Sequence, residues 1–172
     1  MDIFYIDIEN FKSTHEKSFL EKFADVEFKT DKRFYEYTIG RYLIKSVGEK
    51  IFKLSNTEIV KDKNGKPIFK NQDLHFNISH SKNYIVAVFD KYPCGIDLEY
   101  IKPRDLKKLS KYYNRNFDSL ENFYEFWTKK EAEYKLGSTP KDCCTSVFKD
   151  NYMLSVKSIC VIESLNISEF LG

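Results

Sequence analysis

The chain has 172 residues, 42% of them hydrophobic and 16% aromatic, and a formal charge of only +2 from 28 basic and 26 acidic side chains. That balance describes one compact domain or two small lobes, and it excludes a disordered tail. It gives no general basis for binding nucleic acid or a lipid surface, so any anion site must be assembled locally.

The opening "MDIFYIDIEN" has neither the basic start nor the unbroken apolar run of a signal peptide. No window reaches the roughly 18 apolar residues of a membrane span. Cys94, Cys143, Cys144 and Cys160 show no C-x-x-C spacing and are too sparse for a disulfide framework. A cytoplasmic protein with reduced thiols is expected.

In chain order, "DIFYIDI" alternates as a strand, and a short helix is expected over 13–24. A longer helix follows over 31–53, with Phe34, Tyr37, Ile44, Val47 and Ile51 at helical spacing and Asp31 at or before its first turn. "KDKNGKPIF" reads as a turn, because Asn64-Gly65 tolerates positive φ and Pro67 stops a helix. Strands over 74–79, 84–90 and 94–100, joined by tight connections, suggest an antiparallel meander. Helices over 103–113 and 118–136 come next. Two strands, in "TSVFKD" and "MLSVKSICVIES", close the chain about a turn at 150–151. The order β-α-α-β-β-β-α-α-β-β is α+β, with helices packed on antiparallel sheet. Two small lobes are expected, 1–98 and 99–172.

The chemistry starts at "CGIDLEY", 94–100. Asp97 and Glu99 are two apart, so an extended chain points both carboxylates to one face. A solvated strand face is the plain reading, but the neighbours are apolar and Gly95 permits close approach by another group. Two hard oxygen ligands with room beside them suit Mg²⁺. In "FYEFWTKKEAEYKL", Trp127, Glu131 and Lys135 fall at i, i+4 and i+8 on one helix face. An ordinary surface ion pair would explain Glu131 and Lys135 in isolation. Against the strand acids they become a third carboxylate and a cation for phosphate. Ser79 and His80, in "FNISHS", sit at a strand end where an anion can be met, and Lys66 lies on the "NGKP" turn.

Taken in order, G-K-P, F-N-I-S-H-S, G-I-D-L-E and W-T-K-K-E-A-x-x-K resemble the motifs of the Sfp-type 4′-phosphopantetheinyl transferases, over about residues 30–137. The resemblance implies two pseudo-twofold-related lobes in a monomer. It also implies transfer of the phosphopantetheine arm from coenzyme A to a serine of an apo acyl or peptidyl carrier protein, with release of 3′,5′-ADP. Asp97, Glu99 and Glu131 would hold Mg²⁺, with Mn²⁺ as the alternative ion. Lys135 would meet the phosphate being transferred, and Lys130 is the lysine of W-x-x-K-E. Ser79 and His80 would meet the nucleotide end, while Gly65, Lys66 and Pro67 line the adenine. Arg41, in preference to Arg33, would meet the 3′-phosphate. The basic stretch "KPRDLKKLSKYYNR", 102–115, is the expected carrier-protein surface. Where many members continue K-x-x-G-x-G-L, this chain has "KLGSTPKDCC", and the segment beyond 140 implies a trimmed second lobe. Two rival readings are a non-catalytic coenzyme A-binding module and an unrelated metal-dependent phosphohydrolase.

Overall fold

In the computed structural model, which describes residues 1–171, the strand β1 (Asp2–Asp7) lies beside β5 (Tyr84–Asp90) in antiparallel register. Both strands are buried on two faces, which is why β5 reads as an unbroken apolar run. Ile85, Ala87 and Phe89 point one way, to the long helix α3 (Asp31–Lys50) and its Ile39, Leu43, Ile44 and Val47. Val86 and Val88 point the other way, to Ile96, Leu98, Leu154 and Val156 of a second sheet. The Thr30 side chain caps α3 by accepting from the Arg33 N–H at 3.3 Å, so the cap is one residue before Asp31.

The first sheet has the order β4-β5-β1-β9, with β4 at His75–Ser81 and β9 at Asn166–Glu169. All its pairs are antiparallel except β1 with β9. The second sheet has the order β6-β8-β7, from Cys94–Tyr100, Tyr152–Ser158 and Asp142–Phe148, and is antiparallel throughout. Helices α4 (Leu106–Tyr113) and α5 (Leu120–Leu136) follow β6 in the chain, and α5 packs on this sheet. No helix is long and apolar enough to cross a membrane among the described residues.

The α+β class with antiparallel sheets and packed helices therefore holds, while several local expectations are corrected. The helix expected over 13–24 is two short ones, α1 (Ile8–Thr14) and α2 (Lys17–Glu21). Between them His15 and Glu16 are extended, and the His15 ring stacks on Phe11 at 4.0 Å. The Asn64-Gly65 turn, with Gly65 at φ +82°, joins a small hairpin of β2 (Ile59–Lys61) and β3 (Pro67–Phe69). The meander is also broken. β6 leaves the first sheet and pairs with β8 instead.

Candidate functional site

Although β6 is not in its sheet, β4 is stitched to it by side chains. The Ile96 N–H donates to the Asn77 side-chain oxygen at 2.9 Å, Leu98 N–H to the Ser79 hydroxyl at 3.1 Å and Tyr100 N–H to the Ser81 hydroxyl at 3.0 Å. Alternate residues of one strand thus satisfy alternate backbone donors of the other, a seam that needs polar side chains at a period of two. The polar residues of "FNISHS" are largely this seam.

Opposite parity on β6 brings Gly95, Asp97 and Glu99 to α5. A Cβ on Gly95 would overlap the Ala132 carbonyl oxygen and lie 2.7 Å from Leu136 N, so the group that Gly95 admits is the helix backbone. One residue pair along, Asp97 meets Lys135, with Nζ to Oδ1 at 2.7 Å. Next, the Trp127 indole N–H donates to Glu99 Oε1 at 3.4 Å. Two residues of the expected helix face, Trp127 and Lys135, thus meet the strand acids, and α5 runs against β6.

Asp97 is only 5% exposed. Its Oδ1 accepts from Lys135 and, at 3.0 Å, from the Ser79 hydroxyl, whereas Oδ2 is buried with no protein partner. Ser81 donates to Glu99 Oε2 at 3.3 Å. Burial first, and then the Asp97 charge, raise the Glu99 pKa above the ordinary carboxylate value. Glu131 lies on α5 one turn from each of Trp127 and Lys135. No three His, Cys, Asp or Glu side chains stand together as a ready-made cage among the described residues. Asp97, with its orphaned buried oxygen, and Glu99 still fit a hard divalent cation, which takes one or two carboxylates alongside waters and phosphates; Glu131 is not gathered with them into a trio.

A basic group gathers around His80, whose ring is half exposed beside Glu36 at 3.6 Å. Burial lowers the His80 pKa; Glu36 opposes this, while Lys135, Lys32 and Arg33 add to it. Arg41 lies two turns along α3 from Arg33, bound to Asp25 at 3.1 Å and the Tyr37 hydroxyl at 3.2 Å. Lys66 donates to the Cys94 carbonyl at 3.0 Å, and burial lowers its pKa. Its turn, with Gly65 and Pro67, thus touches the start of the acid-bearing strand. Lys130 is exposed, its ammonium 5.3 Å from the centre of the Tyr113 ring. The four cysteines are free, and burial pushes the Cys94 thiol up to about 12. A hollow of about 630 Å³ lined by residues including His15, Phe19 and Lys45 lies toward the other end of α3 and shares no lining residue with the acids.

Two juxtaposed sheets, a stitched seam and a pair of strand carboxylates packed against a helix that carries Trp127 and Lys135 define an α+β protein. The chain is 32% identical over 124 residues to 4′-phosphopantetheinyl transferase gsp of Aneurinibacillus migulanus, covering 65% of this chain and 52% of that one. It is 30% identical over 110 residues to 4′-phosphopantetheinyl transferase Sfp of Bacillus subtilis strain 168, covering 56% and 49%. It is 28% identical over 155 residues to 4′-phosphopantetheinyl transferase ffp of Bacillus subtilis, covering 78% and 69%. The chain is a sequence relative of the Sfp-type 4′-phosphopantetheinyl transferases. It spans about half the length of gsp and Sfp. No protein-family model matches it.

Proposed function

We propose that this chain transfers the 4′-phosphopantetheine arm from coenzyme A to a serine of an apo acyl or peptidyl carrier protein, releasing 3′,5′-ADP. The observation that carries this reading is the pair of strand carboxylates, buried Asp97 and half-buried Glu99, set against Lys135 and Trp127, with Asp97 Oδ2 left unpartnered. Asp97, Glu99 and Glu131 are the residues that would hold Mg²⁺ or Mn²⁺. When bound, that ion supplies Lewis-acid stabilisation of charge on the pyrophosphate.

The serine oxygen attacks the β-phosphorus, the bond from that phosphorus to the bridging oxygen breaks, and 3′,5′-ADP leaves with the electron pair. The serine proton passes to a carboxylate, for which Glu131 is the candidate base. Lys135 adds positive charge beside the phosphates. The rest is positioning. His80, with Lys32 and Arg33 nearby, takes the nucleotide-end phosphate. Arg33 is preferred to Arg41 for that contact because Asp25 already engages Arg41. Ser79 serves the nucleotide end through the seam it anchors, since its hydroxyl is engaged by Asp97, Leu98 and Lys135. The Gly65-Lys66-Pro67 turn lines the adenine, and Lys130 is assigned with Lys135 to binding coenzyme A. The division into lobes 1–98 and 99–172 would place the site where they meet.

Incubating the chain with coenzyme A, Mg²⁺ and an apo carrier protein tests the reading. A mass gain of roughly 340 Da on the carrier serine supports it. Release of phosphopantetheine to water points to a phosphohydrolase. Tight coenzyme A binding without product points to a binding module, and either of these outcomes refutes the transfer.

A further inference from the structure

Lys135 is half-way between surface and core, and its ammonium has three hydrogens. Each has a partner inside the protein: Asp97 Oδ1 at 2.7 Å, the Ser79 hydroxyl at 3.0 Å and the Ile96 carbonyl at 3.1 Å. None remains for direct donation to a phosphate in this arrangement. The same charge lowers the proton affinity of both Glu99 and His80, so its field covers the carboxylates on one side and the nucleotide-end histidine on the other.

We propose that Lys135 is an internal counter-ion that competes with a divalent cation for Asp97, so that the cation binds well only together with a phosphate-bearing substrate. The inference rests on the function proposed above and deepens it by assigning an order to the site. A fixed positive charge on Oδ1 weakens the hold of the same carboxylate on a second cation at Oδ2. Substrate phosphates offset both charges at once. Lys135 is a positioning and charge-setting residue here, acting through Asp97.

The sign of the effect is diagnostic, because damage to a merely structural lysine weakens a metal site, whereas removing a competitor strengthens it. Mn²⁺ alone is the probe, with the free ion counted by electron paramagnetic resonance in the absence of nucleotide. Lys135→Met and Lys135→Gln are expected to tighten Mn²⁺ binding about tenfold or more, after discounting for the partly exposed lysine. Lys135→Arg, which keeps the charge, should stay within about threefold of the unmodified chain. Unchanged or weaker binding in the neutral variants overturns the proposal. If a neutral variant unfolds because Asp97 has lost its partner, Mn²⁺ should restore its fold; a variant that stays unfolded at saturating Mn²⁺ also overturns it. The unmodified chain and Asp97→Asn test the underlying site separately. No Mn²⁺ uptake by the unmodified chain even with 3′,5′-ADP defeats the cation site and the inference together. Uptake that depends on Asp97 but is not tightened at Lys135 defeats the inference alone.

Discussion

Gly95→Ala is the sharpest perturbation of the strand-helix junction. An added Cβ would overlap the Ala132 carbonyl oxygen, and would stand 2.7 Å from Leu136 N and 3.1 Å from Leu136 Cα. All three are backbone atoms of α5, so no side chain can swing aside. Carbon needs roughly 3.5 Å from such atoms, and with the Ala132 oxygen at 2.1 Å the helix must retreat by about 1.4 Å. Overpacking of this kind costs about 1–3 kcal/mol. The retreat also stretches the 2.7 Å bond from Lys135 to Asp97 beyond hydrogen-bond range and strands a buried carboxylate. A total near 3 kcal/mol follows, which at a urea slope of about 2 kcal/mol/M lowers the unfolding midpoint by roughly 1.5 M. Because Glu131 and Lys135 ride on the same helix, carrier loading should fall about a hundredfold even where the variant is fully folded. Urea unfolding followed by fluorescence of Trp127, the single tryptophan, reads the first effect. A midpoint shift under about 0.3 M, together with loading within twofold, would refute the close approach of β6 to α5.

Other consequences follow from the seam and the basic groups. Asn77→Ala leaves the buried Ile96 N–H without its acceptor and should cost about 1–3 kcal/mol in urea unfolding; a loss under 0.5 kcal/mol would show that β4 and β6 are not joined there. The lowered His80 pKa means that folding disfavours the imidazolium. Its contribution to stability is present above the unfolded value of about 6.5 and is lost as pH falls through the lower folded value. Binding of 3′,5′-ADP beside it should raise the His80 titration midpoint seen by NMR, and an unmoved midpoint would place the nucleotide elsewhere. Charge reversal at the exposed Lys107 and Lys108 of α4 should raise the carrier-protein KM several-fold while leaving coenzyme A affinity unchanged. A change in coenzyme A affinity alone would contradict that assignment.

The meeting of β6 with α5 was legible because strand and helix periods are rigid. The two-residue spacing of Asp97 and Glu99 put them on one face, the four-residue spacing of Trp127, Glu131 and Lys135 put those on another, and a glycine marked where the two could touch. The sheet to which β6 belongs was not legible. A strand buried on both faces reads as apolar whichever neighbour it pairs with, and short connections made a meander the simplest expectation. The signal that could have corrected this lies in Asn77, Ser79 and Ser81, three polar residues at a period of two in a largely buried strand. They satisfy backbone donors of β6 where no ladder does. β9 escaped notice because its four residues are all exposed and carry no apolar alternation, while β2 and β3 are too short for a period to show.

The most direct test is the rate at which Asp97→Asn loads an apo carrier protein from coenzyme A with Mg²⁺, followed by intact-protein mass. Asparagine keeps the shape and can still accept from Lys135 and Ser79, but it removes the charge from the orphaned position. A loss of at least a hundredfold relative to an active unmodified chain, with the fold intact, is expected. Loading within about threefold would contradict the carboxylate cluster as the centre of the chemistry.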